Sequence, residues 1–232
     1  MPSPARGLTQ PERVEISSRR LVEAAVQLIV EKGWEAATAA EIGRRAGYSR
    51  AMVHARFGNK DAILDVFLHE YVNQLNPDPD PRTTGMQQVL AHFDRIEGLY
   101  TEDPEFLRAM FVATFEGVKT TSPLRQRVRD QLRSGADKVE QGLRKGLRDG
   151  SVRRDVDIQV AVNDISAAVF GVAYAWIVLP EQFELGRELT NTRRRIVCEY
   201  GARRKGRKGR NGRNGRNGRN GRKEGSHAAR HS

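Results

Sequence analysis

Apolar residues recur at three- and four-residue spacing through most of the chain, the period of helices that each bury one stripe. Over 12–32 the stripe is Leu21, Ala24, Ala25, Leu28 and Ile29; Gly33 ends it and Trp34 follows as a core anchor. Thr38 and Glu41 make a T-x-x-E capping box, in which each side chain satisfies a backbone N–H near the start of the next helix. That helix carries Ala39, Ala40, Ile42 and Ala46, and Gly47 stands where a left-handed residue is needed to stop it. Ser49 is a fresh N-cap, and 50–57 reads as another helix with Val53 and Phe57 inward. Gly58 breaks it. Asn59 caps a helix bearing Ile63, Leu64, Phe67, Leu68 and Tyr71, which runs into the three prolines of 76–85, a linker.

Beyond the linker the pattern stays helical. A helix over 84–100 is followed by Asp103–Pro104, an N-cap with proline in the first turn. It opens a helix carrying Phe106, Leu107, Met110, Phe111, Phe115 and Val118. Ser122–Pro123 repeats the device before the stripe Leu124, Val128, Leu132, Ala136, Val139, Leu143 and Leu147, closed by Gly150. Two more helices are predicted over 156–179 and 182–203, separated by Pro180. No segment reads as a strand, so the fold class is all-α. The predicted organisation is a mobile N-terminus (1–12), a helical domain over 13–75 with its motif at 38–57, a second helical domain over 83–201, and a disordered tail (202–232).

The stretch 160–179 is apolar nearly all round and admits three readings. A membrane span is disfavoured by Asn163 and Asp164 inside the only window of sufficient length. The others are a buried core helix, and a helix that is core on one side and subunit interface on the other; the second covers every face.

Helix, glycine turn, helix over 38–57 is a helix-turn-helix, whose second helix enters the DNA major groove with its N-terminal residues towards the base edges. Arg50 can reach a guanine edge bidentately or a phosphate. The flanking residues Ala25, Leu28, Gly33, Trp34, Thr38, Ile42, Ala46, Gly47, Ser49, Val53, Phe57 and Lys60 resemble the DNA-binding domain of the TetR family of bacterial transcriptional regulators over about 13–75. That resemblance implies a homodimeric repressor that binds a palindromic operator and leaves it when a small molecule enters the C-terminal domain. It implies base contacts from Arg50, Ala51, Met52, His54 and Ala55. Phosphate contacts are expected from Thr38, Arg45, Ser49, Arg56 and Lys60. His54 departs from the family's usual tyrosine; it keeps one hydrogen bond, to phosphate when neutral, while protonation would make binding mildly pH-sensitive. The last two helices would form the dimer interface, through Ile165, Ala168, Val169, Val172 and Ile196. Phe106, Met110, Phe111, Phe115, Tyr174 and Trp176 are candidates for an apolar effector pocket, with core filling as the alternative.

Charge changes the picture once it is divided. The chain has 232 residues and a net charge of +11. Twelve of its 40 Lys/Arg and one of its 29 Asp/Glu lie in 202–232, so 1–201 is neutral overall and its DNA binding must rest on local placement of charge. The tail, with four Asn-Gly-Arg triplets, is too poor in apolar residues to offset chain entropy. It is either a solvated accretion or a polycation that adds sequence-independent phosphate attraction. The rival function is therefore a tail-driven, non-specific DNA- or RNA-binding protein with a helical dimerisation scaffold. The single cysteine, Cys198, has no disulfide partner in the chain, which suits a reducing cytoplasm. No leader-like apolar run, nucleophile motif, metal-ligand cluster or phosphate loop is present, so neither catalysis nor a metal or cofactor is expected.

Overall fold

The apolar periodicity folds as nine α-helices among the residues described by this computed structural model, 9–76, 78–122 and 124–202. They are α1 (Gln10–Lys32), α2 (Ala39–Arg45), α3 (Arg50–Phe57), α4 (Lys60–Leu75), α5 (Gly85–Glu102), α6 (Pro104–Glu116), α7 (Arg125–Asp149), α8 (Ile158–Val178) and α9 (Leu185–Tyr200). Most of the expected N-terminus before residue 9, Pro77, Pro123 and the tail from 203 lie outside the described residues. The β content of the described residues is one isolated bridge, Val152 to Gly201.

Side-chain caps set most helix starts. Thr38 and Thr84 each close a capping box, with Glu41 and Gln87. Asp103 accepts from the Phe106 N–H at 3.0 Å, and Asn59 from that of Ala62 at 3.0 Å. Each such cap is worth about 1 kcal/mol. Several boundaries differ from the sequence expectation, α9 for one running Leu185–Tyr200 rather than over 182–203. α1 begins earlier, because Thr9 and Glu12 form a further capping box. α6 stops at Glu116, leaving Val118 77% exposed. α7 begins at Arg125 with Leu124 as its cap, while Ser122 Oγ accepts from the Leu124 N–H at 3.3 Å.

The buried residues form one continuous cluster from Leu21 on α1 to Tyr200 on α9. Trp34, Ile42, Val53, Ile63 and Leu64 are fully buried at the α1–α4 end, where each large apolar side chain contributes roughly 1.5–3 kcal/mol. Phe67 and Phe106, edge to face at 5.3 Å, join α4 to α6. α5 and α7 meet backbone to backbone: a Cβ built on Gly85 would lie 2.1 Å from the Gly146 nitrogen and 2.3 Å from the Gly142 carbonyl oxygen.

α8 is long and apolar enough to cross a bilayer. Its inner side, including Ala161, Val162, Ile165, Val172, Ala173 and Trp176, is buried against α6, α7 and α9. Asp164, the charge inside the apolar stretch, accepts from the Tyr200 hydroxyl on α9 at 2.5 Å. Burial and this carboxylate push the Tyr200 phenol up to about 12.

Candidate nucleic-acid interface

The turn between α2 and α3 is built from two glycines with different tasks. Gly47, at φ 79°, takes the left-handed conformation that reverses the chain. Gly43 lets the helices touch: a Cβ there would lie 2.7 Å from the Ser49 carbonyl oxygen and 3.1 Å from the Arg50 nitrogen. The Tyr48 N–H closes the turn on the Gly43 carbonyl at 2.7 Å. The sequence reading missed Gly43; the small residue one turn before the glycine stop was the available signal.

Val53, fully buried, anchors α3 to the core, and Arg50, Ala51, His54 and Ala55 stand exposed on its other side. Met52 differs from expectation: it is half-buried and packed against the core, because its position on the helix turns it towards α3's inner face. Arg50 and His54, one turn apart, are bonded to each other. Arg50 Nε donates to His54 Nε2 at 3.3 Å, and His54 Nδ1 lies 2.8 Å from the Gly58 carbonyl oxygen. This network assigns the proton to Nδ1. It orients the imidazole along the helix, and the imidazole steers the guanidinium.

The expected phosphate-contacting residues fall into two groups. Thr38 and Ser49 are exposed at helix N-termini, and Ser49 makes no side-chain cap bond. The Thr38 hydroxyl is held in its capping box, 2.8 Å from Glu41 Oε2. Hydrogen bonds from Lys32 and Thr38 pull the Glu41 carboxyl down to about 2, so it stays ionised in the box. The three cations are engaged inside the chain. Arg45 forms a two-pronged ion pair with Glu31 on α1. Arg56 Nε donates to Ser17 on α1 at 2.6 Å. Lys60 Nζ donates to the carbonyls of Trp34 (3.1 Å) and Ala37 (2.8 Å) and sits 4.9 Å from the Trp34 ring centroid. An ammonium has three donors, and two are used here.

The six expected pocket residues separate. Phe111 alone among them lines a half-open pocket of about 340 Å³ formed chiefly by α5, α7 and α8, with Leu132, Gln159 and Asn163 exposed at its mouth. Met110 is fully buried in the core. Phe115 stacks on Phe111 at 6.4 Å and meets Tyr174 edge to face at 5.6 Å, with Tyr174 57% exposed. Trp176 packs edge to face on Tyr100. Phe106 borders a different cleft of about 750 Å³. That cleft is larger, but its rim includes the exposed Glu15, Arg19, Glu23 and Glu70, so it is a surface groove with charged edges.

Of the expected interface residues, Ile165, Val172 and Ile196 are buried within the chain's own core, and Ala168 and Val169 are half-buried. The exposed residues of α8 are instead Gln159, Val160, Asn163, Asp164, Ala167, Gly171, Tyr174 and Val178, so its outward face is apolar from Ala167 onward. Glu116, which the sequence reading passed over, ends α6 and accepts from the Trp34 N–H at 2.8 Å. It thereby joins the end of α6 to the segment between α1 and α2.

A helix-turn-helix whose second helix is anchored on one side and bare on the other defines a DNA-binding transcriptional regulator. Residues 21–66 match the family described as bacterial regulatory proteins, tetR family. It is 28% identical over 160 residues to the HTH-type transcriptional regulator YdeS of Bacillus subtilis, covering 68% of this chain and 78% of that one. Two solved structures share the fold. The SmeT–triclosan complex, SmeT being the repressor of a Stenotrophomonas maltophilia efflux pump, has TM-score 0.66 at 22% identity, over 82% of this chain and 93% of that one. FadR from Bacillus subtilis with stearoyl-CoA has TM-score 0.63 at 19% identity, over 77% and 97%.

Proposed function

We propose that the protein is a homodimeric repressor that holds a palindromic operator through two copies of α3 and releases it when a small molecule occupies the cavity beside Phe111. The observation that carries this reading is the exposed row Arg50, Ala51, His54 and Ala55 on a helix fixed from behind by Val53. Ala51 and Ala55 keep the face low enough for the backbone to approach the groove, and each methyl can meet a thymine methyl. Thr38 and Ser49 suit phosphate contacts, which set register without reading sequence. The apolar outward face of α8 from Ala167 onward supports two-fold pairing, since a face of this kind is best covered by a second copy. The effector reading is supported by the cavity and by the ligands named for SmeT and FadR. A regulator of this kind works in the cytoplasm, where the chromosome is.

Selection of bound fragments from the source genome is expected to return a two-fold-symmetric site. Its half-sites should be about one helical turn apart or a little more, about 34–36 Å, and the protein should sediment as a dimer at micromolar concentration. A monomer there would remove the paired reading. On that site Arg50→Ala is expected to weaken binding by about 1–3 kcal/mol and to relax preference at one base pair. Equal loss on operator and random duplex would make Arg50 a phosphate contact only.

A further inference from the structure

We propose that the half-open pocket between α5, α7 and α8 takes a compact, uncharged, mainly apolar ring compound bearing a hydroxyl group, and discriminates against organic anions and cations. The inference rests on the effector reading above and adds to it the chemistry of the guest.

Size comes first. At about 340 Å³ the cavity lies near the lower end of ligand sites, roughly 300–1,000 Å³. Its apolar wall includes Phe93, Phe111 and Phe170, which suit a flat ring over a long flexible chain. The polar part of the wall is made of amides, a hydroxyl and one imidazole, including Asn76, Gln131, Ser166 and His92. Among the described lining residues none is Lys, Arg, Asp or Glu. Burial lowers the His92 imidazole from its ordinary value, opposed by its bond to the Leu75 backbone and aided by Lys138, which favours the neutral ring. The Lys138 ammonium bonds the Asn76 carbonyl at 2.6 Å and pairs with Asp78 at 3.1 Å, so its charge is already balanced.

An ion moving to the inner wall of this pocket would lose part of its water and meet no opposite charge among the described lining residues, which penalises its burial. A hydroxyl would exchange water for amide and hydroxyl partners at little net cost. Asn76 gives that group a specific place. It is 6% exposed, and its amide nitrogen is on Ser134 Oγ at 3.0 Å. Its Oδ1 is buried with no partner among the described residues. That oxygen is shielded from water, so a guest donor meets it once the Asn76 side chain turns toward the pocket, completing a buried amide left short of one bond.

The test is a matched series on one skeleton, biphenyl, para-phenylphenol, para-phenylbenzoate and para-phenylbenzylamine, titrated calorimetrically into the full-length protein at neutral pH. The phenol is expected to bind at least about tenfold more tightly than the benzoate and the benzylamine, and more tightly than biphenyl. Gly135→Leu places the binding: Gly135 lines the cavity, and a Cβ built on it would meet no atom within 4 Å. The variant should unfold no earlier than the parent yet lose phenol binding. Benzoate or benzylamine binding as tightly as the phenol, phenol binding indifferent to Gly135→Leu, or no binding by any of the four at millimolar concentration would each overturn the inference. Operator release, read separately by anisotropy of a labelled duplex, tells the two readings apart. Phenol binding without release leaves the guest chemistry standing and removes the effector role. Release by the benzoate alone does the reverse.

Discussion

Trp34→Ala is expected to lower stability by about 3–5 kcal/mol, the usual cost of emptying a large core site. It should also abolish operator binding at temperatures where the parent protein still binds. The side chain is fully buried, its indole N–H donates to Asp61 on α4 at 3.3 Å, and Lys60 lies over its ring. Truncation opens a void between α1 and α4, leaves a part-buried Asp61 bond unmade and removes the surface on which the ammonium rests. Its backbone N–H and carbonyl, held by Glu116 and Lys60, would remain. Denaturant unfolding followed by circular dichroism measures the loss. A shift in midpoint at constant slope assigns it to the folded state. A change under about 1 kcal/mol would mean that the site collapses around the smaller residue.

Gly43→Ala is expected to produce the second large effect, chiefly on binding. The added methyl would lie 2.7 Å from the Ser49 carbonyl oxygen and 2.8 Å from its carbonyl carbon, and these are backbone atoms that no rotamer change can move aside. The first turn of α3 must therefore shift. Overpacking of this kind costs about 1–3 kcal/mol, and the shift falls on the residues proposed to meet base edges. Operator affinity measured by duplex anisotropy should drop by more than about tenfold, since a displacement of reading groups forfeits contacts worth about 1–3 kcal/mol each. Unchanged affinity would show that α2 can recede instead.

Much of the DNA-binding end was legible in the residues because its signals are local. Thr38 with Glu41, Gly47, Ser49 and Asn59 each act on the backbone within a few positions, and α3 runs over the predicted span. The partners of Arg45 and Arg56 were hidden, since Glu31 and Ser17 lie 14 and 39 positions away and only packing brings them close. Periodicity showed that Met110, Phe115 and Trp176 face inward or near it, but it carries no information about which neighbours leave a gap. The pocket therefore gathers residues from five helices, of which the sequence reading names Phe111 alone for a pocket and assigns Ile165 and Val169 to the interface. The same limit applies to α8: its apolar character was plain, while the division between core side and outer side depends on where α6, α7 and α9 settle.

The inward engagement of Arg45, Arg56 and Lys60 bears on how the protein finds its site. While they keep carboxylate, hydroxyl and carbonyl partners, these three cations release few condensed counterions when a duplex arrives, which leaves the exposed Arg44 and Arg50 as the motif's main attraction for arbitrary DNA. A larger share of its grip then comes from groove-edge complementarity, and the ratio of cognate to random affinity rises without any added contact.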